Sequence, residues 1–498
     1  MPTSSADVVV VGGGGAGLAC AIEAARAGAS VIVLEKGDAL GGTTGWSVGS
    51  YTTSSTLHQR KAGVVDSPAQ HFADMDKVNA AATRAGHTDN LELRRLLTDH
   101  SPATFQWLMD LGIEFIGPNP EPPHSQPRMH NVIPSATAFV YFMERECRRL
   151  GVGLRLGHEV TGLQMDGGRV AGVRVRRPDG SEAVCMGRLG VVLAAGDFAA
   201  GKALLERYLP QEVVKADSVN PHVTGDGIRM GEALGAIIIN GGHANSPRMR
   251  FVPAAPTWFH RIPPWRIFTR TLHWIWDWVP PALLRPFIMQ FITTALGPEP
   301  SIFRAGGLLV GRPGQIIPVD LGSLALHLAR QPENLAYILF DNATAQKLNA
   351  WPDFISTAPG IAYAYLSDYA RARPDLYRKA DTLEALCARI GVDAAVLQQQ
   401  LAALPLEPGV VRPLQQGPFH ALGPARAYVT ITEGGLSVDG RLRVIDAQKR
   451  PIAGLYAAGS TGQGGMLIEG HGHHVSWAFV SGRIAAWSVL GREVRTSP

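Results

Sequence analysis

The sequence predicts the α/β class: a buried, mostly parallel sheet with an antiparallel β-meander inserted into it, plus a second, mixed α+β unit carried in the middle of the chain. Three observations predict it. Residues 7–36 run strand, glycine-rich turn, helix, strand. Residues 151–196 change to a hairpin rhythm and then return to a buried strand. Buried-strand and helix patterns reappear only near the C-terminus, after a middle of different composition.

The first unit is the most specific. Residues 7–11 (DVVVV) form a continuous apolar run, as a strand covered on both faces requires. Residues 12–17 (GGGGAG) make a tight turn, 18–27 an Ala-rich helix stopped by Gly28, and 30–35 (SVIVLE) a second strand. Gly12, Gly14 and Gly17 have the G-x-G-x-x-G spacing. That spacing alone is weak. Placed after a strand, at the opening of a helix and ahead of a carboxylate ending the next strand, it is the Rossmann-like dinucleotide signature. Glycine lets the backbone approach a pyrophosphate, and the helix N-terminus at Gly15 and Ala16 supplies N–H groups and positive dipole. Glu35 would accept the ribose hydroxyls and disfavour a 2′-phosphate, with Lys36 beside it.

A second glycine turn follows at Gly41 and Gly42, running on into Thr43, Thr44, Gly45 and Ser47. It suits a long, extended dinucleotide, and Gly459 ends a late strand where a ribityl chain could pass. Both features favour FAD. Gly225-Asp226-Gly227 lacks a preceding apolar strand, so no nicotinamide domain is expected.

The meander reads as short strands at 160–165, 170–175 and 182–185, with turns at Asp166-Gly167-Gly168 and Pro178-Asp179-Gly180. Residues 190–194 (GVVLA) then read as a separate returning strand. Residues 251–300 hold nine prolines and five tryptophans, whereas 320–424 read as helical and polar, with amphipathic spacing at 381–390 and 394–403. Residues 455–459 are a last buried strand and 474–490 a closing helix. The expected division is a first domain part at 1–250, a cap at 251–424 with an aromatic insertion at 257–297, and a closing part at 425–498.

Composition excludes other classes. At 46% hydrophobic and 18% charged the chain can bury a core. A net charge of +4 from 46 basic and 42 acidic residues gives no argument for nucleic acid. The four cysteines form no Cys-x-x-Cys pair, against disulfide, zinc, iron–sulfur and c-type haem readings, and no metal is expected. No signal peptide or spanning helix is read, and the expected location is cytoplasmic.

At residues 7–50, 72–115, 190–235 and 451–487 the sequence resembles the flavoprotein subunits of the fumarate reductase / succinate dehydrogenase superfamily, which also contains the 3-ketosteroid dehydrogenases. The resemblance implies that Gly12, Gly14, Gly17, Glu35, Gly41 and Gly42 hold the ADP half of FAD. It puts Ser47 beside the flavin N5, Val160 at the adenine through its backbone, and Ala195-Gly196-Asp197 at a strand end near the FAD. Asp226 falls in a recurring Thr-Gly-Asp-Gly turn, Gly459 near the ribityl chain, and His474 and Val475 at a helix N-terminus facing the pyrimidine ring. The middle becomes a mobile cap. Three departures matter. Dicarboxylate-reducing members carry an arginine where this chain has residues 470–473, a histidine where it has 430–435 (TITEGG), and a proton-donating arginine where it has 318–324, and none of these is present. A doubly charged substrate needs about two cationic clamps, so a fumarate-like substrate is not expected. Residues 43–48 contain no histidine, so FAD should be non-covalent.

Trp258, Phe259, Trp265, Phe268, Trp274, Trp276 and Trp278 crowd one segment that also carries Arg261, Arg266, Arg270 and Arg285. Two readings stand: a cap packed on the flavin domain, or a peripheral contact with the cytoplasmic face of a membrane. Dehydrogenation next to a carbonyl needs a hydride acceptor, a base and a carbonyl-polarising donor. Tyr51 is the best-placed base by sequence, Tyr363 a second candidate in the cap, and His471 a donor or relay. The expected function is FAD-dependent dehydrogenation or ene reduction of an apolar, steroid- or terpenoid-like ketone, with a quinone or redox protein as separate electron acceptor. A non-redox flavin hydratase or isomerase, and a membrane-peripheral flavin or lipid carrier, are the alternatives.

Overall fold

A computed structural model describes residues 3–244, 247–253, 263–279, 283, 285, 289, 292–294, 296–320, 322–358, 362–404 and 413–494. β1 (Thr3–Val11) lies inside the larger sheet, and its Val8, Val9 and Val10 have no exposed surface. The chain turns into α1 (Gly15–Arg26) and returns as β2 (Val31–Leu34), parallel to β1 in the register Val8↔Val31 to Val11↔Leu34. A short helix, α2 (Gly42–Trp46), carries the second glycine turn. β3 (Ser50–Thr52), β4 (Glu114–Asn119) and β5 (Met129–Ile133) form a separate three-stranded sheet in the order β3-β5-β4. β6 (Gly153–Arg155) then extends the larger sheet beyond β2.

The meander forms, with one correction. β7 (Glu159–Asp166) and β8 (Arg169–Arg176) make the expected hairpin. The third meander strand and the returning strand, expected as two, are one continuous strand, β9 (Glu182–Leu193). Its first half pairs antiparallel with β8, and its whole length runs parallel to β1, with the register slipping between Ala6 and Val8. Pro451–Ala457 pairs parallel with β9 on the far side, and the closing helix His473–Val489 packs along α1.

The second sheet centres on the strand Phe419–Val429, flanked by Ala336–Phe340, Arg248–Phe251, Tyr377–Ala380 and Asp217–Ser218. Residues 320–424 are richer in helix than in strand, as expected, but they also supply Ala336–Phe340 and Tyr377–Ala380 to this sheet, which the helical reading did not include. Ala336–Phe340 is buried at every position, Ala336, Ile338 and Phe340 meeting one apolar cluster and Tyr337 and Leu339 another. A strand covered on both faces shows no alternation in its sequence, and so is not told from a helical segment by period. The helices Leu383–Ile390 and Ala394–Ala403 do form, capped by Thr382 and Asp393. The sheet crosses the boundary drawn at 250 through Arg248–Phe251 and that at 424 through Phe419–Val429, and it takes Asp217–Ser218 from well inside the first part.

Within the aromatic segment, the helix Arg266–Trp278 rests on the small sheet, with His273 Nδ1 3.2 Å and Arg270 Nε 3.5 Å from the Glu114 carboxylate. Trp258, Phe259 and Arg261, and the side chain of Trp276, lie outside the described residues. Among the described residues no helix is long and apolar enough to cross a membrane.

Candidate functional site

A cleft open to solvent lies at the carboxyl ends of β1, β2 and β9. Ligands in open α/β sheets bind at this edge. It is lined by Gly12, Gly14, Gly15 and Ala16 from the first turn, Glu35 and Lys36 from the end of β2, and Gly42, Thr43 and Thr44 from the second turn. Val160 of β7, Ala195 and Gly196 after β9, Asp226 and Gly459 line it as well, while Gly17, Gly41, Gly45, Ser47, His474 and Val475 do not.

The glycines fit a phosphate-bearing ligand. At Gly12, with φ +105°, a Cβ would lie 2.3 Å from the Ala194 carbonyl oxygen, so this turn needs glycine for the fold itself. At Gly14 a Cβ would meet no protein atom nearer than 3.9 Å. The space it would fill is the cleft, where a backbone-to-ligand approach needs it empty. Gly14 caps α1 with no side-chain bond, which leaves the first amides without an acceptor one turn back. Glu35 Oε2 and Oε1 accept from Gly13 N and Gly37 N, both at 2.8 Å, and each oxygen keeps acceptor capacity for a ribose hydroxyl. Lys36 Nζ donates to Thr224 Oγ1 at 2.6 Å and Asp226 Oδ2 at 2.7 Å, tying the 224–226 turn to the rim.

Other expected residues stand behind this wall. Gly17 lies under the first turn, Gly41 N donates to Gly13 O at 2.8 Å, and Gly45 packs toward Val140. Ser47 Oγ donates to Thr44 O at 2.8 Å and accepts from Gly49 N, closing α2. Val475 is buried in the first turn of the closing helix. Asp197, Asn220, His222, Ser460 and Ala478 also line the cleft. Asp197 was legible as the neighbour of Gly196, while Asn220 and His222 sit in a loop whose sequence carries no periodic signal.

One ionisable cluster stands behind the cleft wall. Asp197 and Ala478 line the cleft, and His474, which is not itself a lining residue, lies one turn before Ala478 on the closing helix. His474 Nε2 donates to Glu433 Oε1 at 2.9 Å, and Gln463 Nε2 donates to Glu433 Oε2 at 2.6 Å. Glu433 has no exposed surface. Burial would raise its pKa, yet facing His474 it lies below the usual carboxylate range, and His474, despite burial, lies above the usual imidazole range. Asp197 accepts from Ala199 N at 2.7 Å and Thr432 Oγ1 at 3.3 Å, and burial pushes it up to about 6. His243 lies with Nε2 3.2 Å from Glu469 Oε1, its ring over His87 at 4.2 Å. Behind them His473 Nδ1 donates to the Glu469 carbonyl at 2.6 Å, and burial lowers this imidazole to about 3, which fixes it as a neutral support for the loop.

A family model described as FAD binding domain matches residues 7–266 and 323–468, most of the chain. The chain belongs to the FAD binding domain family. It falls within the fumarate reductase / succinate dehydrogenase flavoprotein superfamily. It is 26% identical to NADH:fumarate oxidoreductase of Klebsiella pneumoniae (strain 342), over 91% of this chain and 44% of that protein. It is 25% identical to vinyl phenol reductase of Lactiplantibacillus plantarum, over 96% of this chain and 95% of that protein. The 3-ketosteroid-Δ4-(5α)-dehydrogenase of Rhodococcus jostii RHA1, solved with 4-androstene-3,17-dione, shares the fold with a TM-score of 0.60 at 23% identity, over 98% of this chain and 97% of that one. The chain spans about half the length of the curated relatives it matches first.

The three residues expected to act on substrate are not brought together at the FAD cleft. Tyr51 is fully buried on β3 among Phe105, Phe115 and Phe479, and its hydroxyl donates to Ser101 O at 3.0 Å. Burial moves its pKa upward, away from any role as a base. Tyr363 belongs to an aromatic cluster with Trp351 and Phe354 and is not among the cleft-lining residues. His471 is 61% exposed and pairs with Glu121 Oε1 at 2.7 Å. The signal for Glu433 was a carboxylate beside two glycines in an otherwise uncharged run, residues 430–435.

Proposed function

We propose that the protein is an FAD-dependent oxidoreductase acting on a carbon–carbon bond next to a carbonyl, by dehydrogenation or ene reduction, in an apolar ketone of steroid or terpenoid type. The observation that carries this is the buried Glu433–His474 pair behind the cleft wall formed by Asp197 and Ala478, with no arginine among the described residues lining the cleft. A dicarboxylate needs cations for both ends, whereas an enone or ketone needs one strong donor at its oxygen. The full-length vinyl phenol reductase relative acts, by its name, on a substrate without a carboxylate, which favours the same reading; the Klebsiella relative is named for fumarate and favours the charged one.

The glycine turns, Glu35 and the Lys36–Asp226 rim hold FAD without a covalent bond. When bound, FAD supplies the acceptor or donor of a hydride. Glu433 engages the Nε2 proton of His474, so the imidazolium keeps its Nδ1–H for a substrate oxygen as enolate charge develops. Asp197 is the group that exchanges a proton near neutral pH. His243, with Nε2 3.2 Å from Glu469 Oε1, borders the same loop. Electrons pass to or from a separate quinone or redox protein.

Anaerobic mixing tests this. The flavin-loaded protein is mixed with 3-keto steroids and cyclic terpenoid ketones, with succinate as the charged control, and the reduced protein with the matching enones and fumarate. Bleaching of oxidised flavin by a ketone, or reoxidation of reduced flavin by an enone, is expected. Response to fumarate or succinate alone overturns the apolar-substrate reading, and response to none overturns the oxidoreductase reading.

A further inference from the structure

The helix Arg266–Trp278 turns an aromatic face outward. At about 100° per residue, Ile267, Arg270, Thr271, Trp274 and Trp278 fall within an arc of about 100°. All five are exposed, Ile267 by 83%, Trp274 by 60% and Trp278 by 73%. The opposite side holds buried Thr269, and His273 is fastened to Glu114 of β4. The exposed Trp265 precedes the helix, and Arg266 flanks the arc. A soluble surface can carry one exposed tryptophan without consequence, but a row of them on one helix marks a contact.

We infer that this face docks the enzyme on an anionic phospholipid bilayer. Its charge decides the occupant. Among the described side chains this face offers Arg266 and Arg270, the latter 62% exposed although 3.5 Å from Glu114, interleaved with indoles, and the helix sequence holds a single acid, Asp277, against them. Indole rings settle at the headgroup level and guanidinium groups bind lipid phosphates, and a helix about 20 Å long with its other side fixed to protein can lie in the plane of the interface. Beyond the helix, exposed Leu283 is two residues from Arg285, whose Nη2 donates to Tyr363 O at 3.2 Å, and the Tyr363 ring meets the exposed Trp351. Docking is independent of the catalytic reading, because neither FAD cleft nor substrate takes part.

The test is sedimentation of the flavin-loaded protein with vesicles of phosphatidylcholine containing about 30% phosphatidylserine. The wild type should pellet with them, less at high salt. The variant Ile267→Ser/Trp274→Ala/Trp278→Ala should lose binding about ten-fold or more while keeping its flavin. Arg266→Gln/Arg270→Gln should lose affinity for the anionic vesicles and keep its weak affinity for pure phosphatidylcholine. Wild type remaining in the supernatant, or a triple variant that binds equally, overturns the inference. A concentration-dependent dimer abolished by the triple variant, without vesicle binding, overturns it in favour of a second copy of this chain.

Discussion

Replacing Glu433 by Gln removes one charge from behind the cleft wall and keeps the side chain's shape. The Gln oxygen can still accept from His474, but the charge that holds the imidazole proton is gone. At 2.9 Å the two charges attract by about 6 kcal/mol at an effective dielectric near 20, much of it offset by desolvation. Losing one partner of a buried pair costs about 3–5 kcal/mol, and the lower end applies because the hydrogen bond survives. With about 2.1 cal/mol/K of unfolding entropy per residue, a chain of 498 residues that unfolds cooperatively loses about 3 °C of Tm for 3 kcal/mol. The pH dependence is the sharper signature. Glu433's lowered pKa contributes stability above the ordinary carboxylate value, lost as pH falls through the native one. His474's raised pKa contributes stability below the ordinary imidazole value, lost as pH rises through the native one. The Tm difference between wild type and variant should therefore be widest between those limits and close at both ends, in scanning calorimetry of the flavin-loaded proteins. Turnover of the ketone should fall about 10²–10³-fold with flavin content unchanged. A Tm difference that stays constant with pH, or full activity in the variant, refutes the reasoning.

Two glycine substitutions should separate fold from ligand: Gly12→Ala forces a Cβ against the Ala194 carbonyl and should lower Tm even of apo-protein, whereas Gly14→Val should leave the apo-protein's Tm near wild type and cut bound flavin at least about ten-fold, read from absorbance per chain. Tyr51→Phe removes only a core hydrogen bond to Ser101 and should cost about 1 kcal/mol of stability, seen in denaturant unfolding, with kcat unchanged. Arg128→Met strands Asp66 and Asp74, which it bridges at 2.6–2.7 Å with no exposed surface of its own guanidinium, and should cost about 3–5 kcal/mol without altering the flavin spectrum of the protein that folds.

The nucleotide half of the molecule was legible because its signals are local. The glycine spacing, the unbroken valines of β1 and Glu35 each express a constraint set within a few residues of itself. β9 differs from its reading for another reason: its first half pairs with the meander and its second with Pro451–Ala457 while β1 runs beside both, and nothing in the sequence marks the point where that partner changes. The second sheet was missed because Ala336–Phe340 is buried on both faces and so shows no strand period. Tyr51 illustrates the limit of proximity in sequence. It follows the second glycine turn by a few residues, but strand pairing with β5 aims its ring into the core. Glu433 and His474 are 41 residues apart, and only the return of the chain past the strand ending at Ala457 brings them together.

The arrangement of that pair bears on substrate choice. A helix N-terminus favours negative charge, and the closing helix starts at Gly472 with no capping side chain and no acid in its first turn. An imidazolium there is opposed by the dipole, by about 0.3–1 kcal/mol, and by burial. Glu433 reverses both, since it lies against the Nε2 edge and carries the charge the dipole prefers. The cleft can then present a charged donor to a substrate oxygen while the pair as a whole stays neutral. A dianion entering it would meet no unpaired cation among the described lining residues, since Lys36 is held by Asp226, and the buried arginines among the described residues, Arg94, Arg128, Arg373 and Arg483, are engaged by Asp89, Asp66, Asp375 and Thr104. A neutral ketone requires only the one donor, and it loses little by leaving water for a cleft of this polarity.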